Sequence, residues 1–449
     1  MAETYDLIVR GGIVVTPNGM ETSDIGVRGG KVAAIGTLSG SSALETVSAS
    51  GQHVLPGVID TQVHFREPGL EYKEDLESGT RGAALGGVTG VFEMPNTKPS
   101  TLTTEDFEEK MRRAQGRAWC DYAFYIGGAA ENVMELARLE RLPGCSGVKV
   151  FMGASTGTLL VPDDATLDAI LKHSYRRMAV HCEDEARMNE RKPMTRAPGV
   201  TAHVHPEWRD VQSALLATQR LLKLARKRGR RVHVLHVTTA EEMVFLRDHK
   251  DIASVETTPQ HLTLAAPDCY DRLGTLAQMN PPIRDARHRE GLWQAVRDGI
   301  VDVIGSDHAP HTLEEKAKPY PDSPSGMTGV QTLVPIMLDH VNAGRLTLER
   351  FVDLTSAGAA RIFNLAGKGR IALGYDADFT LVDLKAKRRI ENKWIASKAG
   401  WTPYDGMQVT GWPTATIVRG NVVMREDQLL AQPVGAPIRF QETLPREEN

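Results

Sequence analysis

Five residues in this chain combine metal-binding chemistry with a repeated position: His64, Lys149, His181, His236 and Asp307 each close an apolar, strand-like stretch. In Asp60-Thr61-Gln62-Val63-His64, strand alternation predicts Asp60, Gln62 and His64 on one inner face. A lone histidine at a strand end is usually a satisfied polar residue, but five metal-competent groups at five strand ends point to a metal centre. Lys149 lies in the apolar run Gly147-Val148-Lys149-Val150-Phe151-Met152, where burying an ammonium costs several kcal/mol. An ammonium would also repel a cation. Capture of carbon dioxide would convert the amine into an anionic carbamate with two oxygen donors, able to bridge metals about 3.5–4 Å apart. Asp307, in Gly305-Ser306-Asp307-His308-Ala309-Pro310-His311, suits a ligand that is also a base, taking a proton from activated water and passing it to a leaving amide nitrogen.

The elements that must position these residues follow from the apolar rhythm. Residues 5–10, 12–15, 24–28 and 31–35 read as short strands between glycine turns. From about Gly57 apolar strands alternate with helix-length amphipathic stretches: 58–63, 88–93, 121–126, 147–151, 178–181, 232–236, 253–256 and 301–304, with the clearest helix over 211–228. Eight strands with crossovers predict an α/β fold, a TIM-type (β/α)8 barrel whose strand C-termini carry the site. Strand rhythm returns at 376–383, 414–419 and 421–424, so both chain ends are expected to build a small β-sandwich domain. The expected organisation is residues 1–55 for its first part, 56–368 for the barrel, and 369–449 for its second part and the tail.

Composition excludes several classes. A net charge of −4 over 449 residues gives no case for a nucleic-acid partner, and the run Arg226-Lys227-Arg228-Gly229-Arg230-Arg231 reads as a solvated helix end. No stretch has the roughly 18 apolar residues a membrane span needs. Four scattered cysteines without a CxxC pair fit reduced thiols and a cytoplasmic location.

With these residues in view the chain resembles a dihydroorotase of the amidohydrolase superfamily, from about Tyr5 to Glu426. The resemblance rests on Pro56-Gly57-Val58-Ile59-Asp60, His64-Phe65-Arg66-Glu67-Pro68-Gly69, Lys73-Glu74-Asp75, Met94-Pro95-Asn96-Thr97, Asn280-Pro281-Pro282-Ile283-Arg284 and the segment 307–311. It implies that His64, carboxylated Lys149, His181, His236 and Asp307 bind zinc, with Asp307 also the general acid/base. Arg66, Asn96 and His311 would hold a substrate carboxylate, and Asn280 would contact the pyrimidine ring. The implied reaction is the reversible interconversion of N-carbamoyl-L-aspartate and L-dihydroorotate in pyrimidine biosynthesis. An arginine fork is the natural partner for such a carboxylate. A homo-oligomer is expected, with association to aspartate transcarbamoylase as a further option.

Two departures from the family pattern stand out. Its first strand usually ends in His-x-His, and here Gln62 takes the first place; a glutamine carbonyl is a much poorer zinc ligand. One tightly held zinc and a second that is weak or absent are therefore expected. Gln260, where relatives often carry histidine, is expected to be structural. His203-Val204-His205 copies the spacing of a ligand pair between Pro198-Gly199 and Pro206 and reads as loop, and Cys182 is expected to pack on the opposite face from His181. The proline-rich segment 314–326 suggests a mobile rim loop. Competing readings are a hydantoinase or allantoinase acting on another cyclic ureide, and a non-catalytic scaffold that binds a transcarbamoylase.

Overall fold

The computed structural model describes residues 4–154, 159–430 and 432–444. Eight strands, β1 (Val58–Val63), β2 (Val88–Glu93), β3 (Asp121–Gly127), β4 (Cys145–Phe151), β5 (Met178–His181), β6 (Val232–Val234), β7 (Ala253–Thr257) and β8 (Val303–Ile304), pair in chain order. Every neighbouring pair is parallel. A parallel bridge between Val63 and His308, with His64 N donating to His308 O at 2.7 Å, closes the ring. All residues of these strands are buried, which is why they read as continuous apolar runs rather than alternating ones.

The crossover helices begin on side-chain caps. Asp75, Thr103, Asp163, Asp210, Thr239 and Asp285 each accept a backbone N–H at the start of a helix, and those helices include Leu76–Leu85, Val211–Arg228 and Ala286–Arg297. Outward strand residues such as Val148, Val150, Val180, Val234 and Val255 share one large apolar cluster with Leu221, Leu246 and Leu292 of the helices. Cys182 belongs to that cluster, as alternation predicted. The strand-to-helix loops are thereby clamped from both sides, and the site residues sit on them.

Alternation fails locally in β1. The ladder between β1 and β2 changes register between Asp60 and Val63. Thr61, which alternation alone would send outward, donates to Glu256 at 2.6 Å, reaching across the interior to β7, which is not a ring neighbour of β1. The bulge lets Thr61 face inward while Gln62 and His64 still reach the mouth of the barrel.

The second domain joins the chain ends in a nine-stranded sheet. His53–Pro56 is its seam, parallel to Thr4–Thr16 and antiparallel to Phe379–Arg389. The two short strands read over 5–10 and 12–15 are one strand, Thr4–Thr16, broken in register between Val9 and Gly12, with Gly11 at φ 65° in the left-handed region that favours glycine. Ser42–Ser48, which the sequence reading passed over, pairs parallel to that strand. The tail is less solvated than its polar composition suggests. Ile438 and Phe440 are fully buried, packed with Ile59, Phe92 and Tyr125 of the barrel interior and with Phe363. Among the described residues no helix is long and apolar enough to cross a membrane.

Candidate active site

Gln62, His64, Arg66, His181, His236, Asn280 and Asp307 line one pocket at the C-terminal ends of the strands, with Phe151, Ala309, Ser325 and Gly326 completing the wall. Its free volume, about 10 Å³, is near the space one water needs. Three of its residues, Arg66, His236 and Asp307, have φ of 64°, 35° and 45°. Side chains rarely adopt that region, and such strain persists where the surrounding structure over-determines it.

On one side, His64 Nδ1 donates to Asn96 Oδ1 at 2.8 Å, a tautomer read from its partner, and His64 Nε2 lies 3.2 Å from Asp307 Oδ1. Burial, with Arg66 and Lys149 nearby, holds the His64 ring neutral. A lone pair and a carboxylate oxygen then face each other, an arrangement that calls for a shared proton or a cation. Burial pushes the Asp307 carboxyl up to about 7, against the pull of Lys149 and His181. Gln62 Nε2 donates to the same Asp307 oxygen at 3.0 Å, and its Oε1 has no partner.

On the other side, His181 Nε2 donates to Glu183 Oε2 at 2.8 Å, which leaves a lone pair on Nδ1. That atom is 3.0 Å from His236 Nε2, close to the spacing of two nitrogens each about 2.1 Å from one ion. Glu183 is gripped in turn by Arg209, with Nε to Oε1 at 3.0 Å. Burial alone would raise the Glu183 carboxyl, but Arg209 and His181 outweigh it and hold it well below the usual range. Lys149 Nζ is buried without a hydrogen-bond partner, 4.3 Å from the Phe151 ring centroid, and burial pushes its amine down to about 7. Among the described residues no three His, Cys, Asp or Glu side chains form a metal-binding cluster by themselves, so the donor count turns on Lys149.

The third part of the site is cationic. Arg66 does not pair with Glu67, which is taken by Arg113 and Arg117. Its Nε donates to Pro310 O at 3.1 Å, and its Nη2 lies 3.2 Å from His311 Nε2. Lys73 Nζ donates to His311 Nδ1 at 3.0 Å, which puts the ring proton on Nε2, toward Ser325 O at 3.0 Å. The His311 ring proton is thus taken by Ser325 O, and Lys73 pairs with Glu315 at 2.9 Å. Arg66, which has no ion pair among the described residues, is the cation that lines the pocket, where an anion is the stabilising neighbour. Asn280 Oδ1 receives His205 Nε2 at 3.0 Å.

The structure thus gathers His64, Lys149, His181, His236, Asp307, Arg66, Asn280 and His311, and places Asn96 behind His64. Sequence reasoning noted Lys73 only as part of a motif and missed Glu183; two residues after a strand-end histidine is where an orienting carboxylate sits, so Glu183 could have been found. His205 is not the loop histidine expected: it begins the short helix His205–Trp208 and is buried against Asn280. His203 is half-exposed and pairs with Asp271 at 2.8 Å. Gln260 donates to Ser306 O at 2.7 Å, beside Asp307. The rim segment 314–326 is pinned by Lys316, whose ammonium donates to the carbonyls of Gln278, Pro324 and Gly326 at 3.1, 2.9 and 3.1 Å.

A barrel with polar strand ends around such a pocket defines a hydrolase-like site, and comparison with known proteins agrees. Residues 53–423 match the amidohydrolase family, and the chain belongs to it. It is 33% identical to a dihydroorotase of Methanosarcina mazei, covering 95% of this chain and 96% of that one. It is equally similar, at 34% identity over 95% and 96%, to an allantoinase of Escherichia coli O139:H28. The L-hydantoinase (dihydropyrimidinase) from Arthrobacter aurescens superposes with a TM-score of 0.92 at 32% identity, over 97% of this chain and 100% of that one.

Proposed function

We propose that this chain is a metal-dependent dihydroorotase, interconverting N-carbamoyl-L-aspartate and L-dihydroorotate. The observation that carries the reading is Arg66 in the pocket wall, buried, held by Pro310 O and without an ion pair among the described residues, with His311 packed beside it. Dihydroorotate bears a carboxylate on its ring, whereas hydantoin and allantoin do not. Arg66 holds that carboxylate, with His311 beside it and Asn96 behind His64, and Asn280, oriented by His205, meets the ring.

The donor set fits a divalent cation such as zinc: the His64 lone pair facing the Asp307 carboxylate, the adjoining ring nitrogens of His181 and His236, and an unpartnered buried amine that becomes an oxygen donor on carboxylation. His64, Lys149, His181, His236 and Asp307 would hold it, firmly at Lys149, His181 and His236, and more weakly on the side where Gln62 replaces histidine. A divalent ion held by these residues would supply Lewis-acid polarisation of the ring carbonyl and a water nucleophile competent near neutral pH. Asp307 holds the proton on its carboxyl between steps and delivers it to the departing ring nitrogen, a task suited to a group near neutrality.

The equal similarity to hydantoinase and allantoinase relatives supports a second reading, hydrolysis of an uncharged cyclic ureide. Arg66→Gln separates the two. Loss of a charge-assisted contact to a carboxylate lowers kcat/KM on dihydroorotate by about 100-fold. An unchanged value would remove the basis of the dihydroorotase reading.

A further inference from the structure

At the opposite end of the barrel a cavity of about 770 Å³ opens among residues that precede the strands. Arg177 stands directly before β5, Arg231 directly before β6, and both line it with Arg141 and Arg176. The acids of the wall, Glu140 and Glu442, offset only part of the charge of the four arginines. Glu140 accepts the backbone N–H groups of Tyr175 and Arg176 at 2.7 and 3.2 Å. Glu442 accepts from Asn364 Nδ2 at 2.5 Å and comes no nearer than 3.9 Å to Arg176 Nε.

The arginines are held mainly by carbonyls, and the wall as a whole keeps a net positive charge. Arg176, 7% exposed, donates Nη1 to the carbonyls of Glu140 and Cys145 at 2.7 and 2.5 Å. Arg177 donates Nε to Ile362 O at 3.1 Å and Nη1 to Val232 O and Ser254 Oγ at 3.0 and 3.2 Å. Arg177 has no carboxylate partner among the described residues; burial and the neighbouring Arg231 push its guanidinium down to about 10. Arg141 and Arg231 are exposed and have no side-chain hydrogen bond or ion pair among the described residues. The last arginine of the basic run therefore differs from Arg226 and Arg228, which pair with Asp251 and Asp168.

Clustered like charges in a concave wall raise the local anion concentration, and guanidinium forks match phosphate oxygens. A volume of several hundred Å³ is that of a small-molecule site, roughly 300–1,000 Å³. Anchoring Arg176 and Arg177 on carbonyls leaves little side-chain freedom to lose on binding. We infer that this cavity at the N-terminal end of the barrel is a binding site for a small phosphate-bearing anion, separate from the catalytic pocket.

Isothermal titration calorimetry of the full chain with inorganic pyrophosphate, at an ionic strength near about 0.15 M, tests this. The expected result is one saturable site per chain, weakened about tenfold or more by Arg231→Glu and by Arg141→Glu, with unchanged melting temperature. A chain ending at Leu444, which also lines the cavity, is expected to bind as the full chain does. No saturable binding, or undiminished binding by Arg231→Glu, would overturn the proposal. So would binding by the shortened chain alone.

Discussion

Gln62 Nε2 donates to Asp307 Oδ1 at 3.0 Å, so the residue at the place of a histidine ligand acts on the carboxylate instead. An N–H cannot coordinate a cation, and the amide's own oxygen has no partner. The two halves of the site are therefore unequal, with His64 and Asp307 lacking the nitrogen donor that would complete their side. Elemental analysis after mild dialysis is expected to find one zinc per chain in the wild type and a second retained by Gln62→His. Two equivalents in the wild type would contradict this asymmetry.

Lys149 provides a direct chemical readout. Carbamate forms on the neutral amine, and burial brings the amine down to about 7. At a fixed concentration of dissolved carbon dioxide, recovery of metal-stripped protein in zinc should therefore quicken as pH rises from about 6 to about 8, as the neutral fraction grows. Carbon-13 NMR with labelled bicarbonate should show a protein-bound carbamate resonance that Lys149→Met lacks. Its presence in the variant would move the modification elsewhere.

Glu183 acts through His181, whose Nε2–H it accepts at 2.8 Å, and it is itself fixed by Arg209. Glu183→Gln should leave the fold in place yet weaken zinc affinity by about 10–100-fold, because the orienting partner of a ligating imidazole sets its tautomer and basicity. Unchanged zinc affinity in competition with a chelator would show that His181 does not hold metal through Nδ1.

Stability should fall with acid through the buried histidines. Burial pushes His205 to about 3, and His261 and His340 to about 4, below the usual 6.5. For a depressed histidine the unfolded chain binds the proton first. Stability is thus full above about 6.5 and is lost as pH falls toward about 4, at up to about 1.4 kcal/mol per pH unit for each group. Urea midpoints should drop between pH 7 and 5, and less so in His205→Phe. A flat profile would contradict the neutral burial of these rings.

The barrel and the polar residues at its strand ends were legible because buried parallel strands are apolar throughout, so Lys149, His181 and Asp307 stand out against their neighbours. What was not legible depends on three dimensions. Thr61 faces inward through a register break, His311 takes its tautomer from Lys73, and His205 meets Asn280 from 75 residues away. The positive φ of Arg66, His236 and Asp307 left no mark either, since none of them is glycine. The rim segment 314–326 looked free by composition, but the three carbonyl bonds of Lys316 tie it down.

The central claim is that the pocket selects a ring carrying a carboxylate. Steady-state kcat/KM of the zinc-loaded protein for dihydroorotate, hydantoin and allantoin tests it most directly. A preference for dihydroorotate of about 100-fold or more is predicted, the scale of one well-placed arginine contact. Turnover of hydantoin or allantoin equal to or faster than that of dihydroorotate would contradict it.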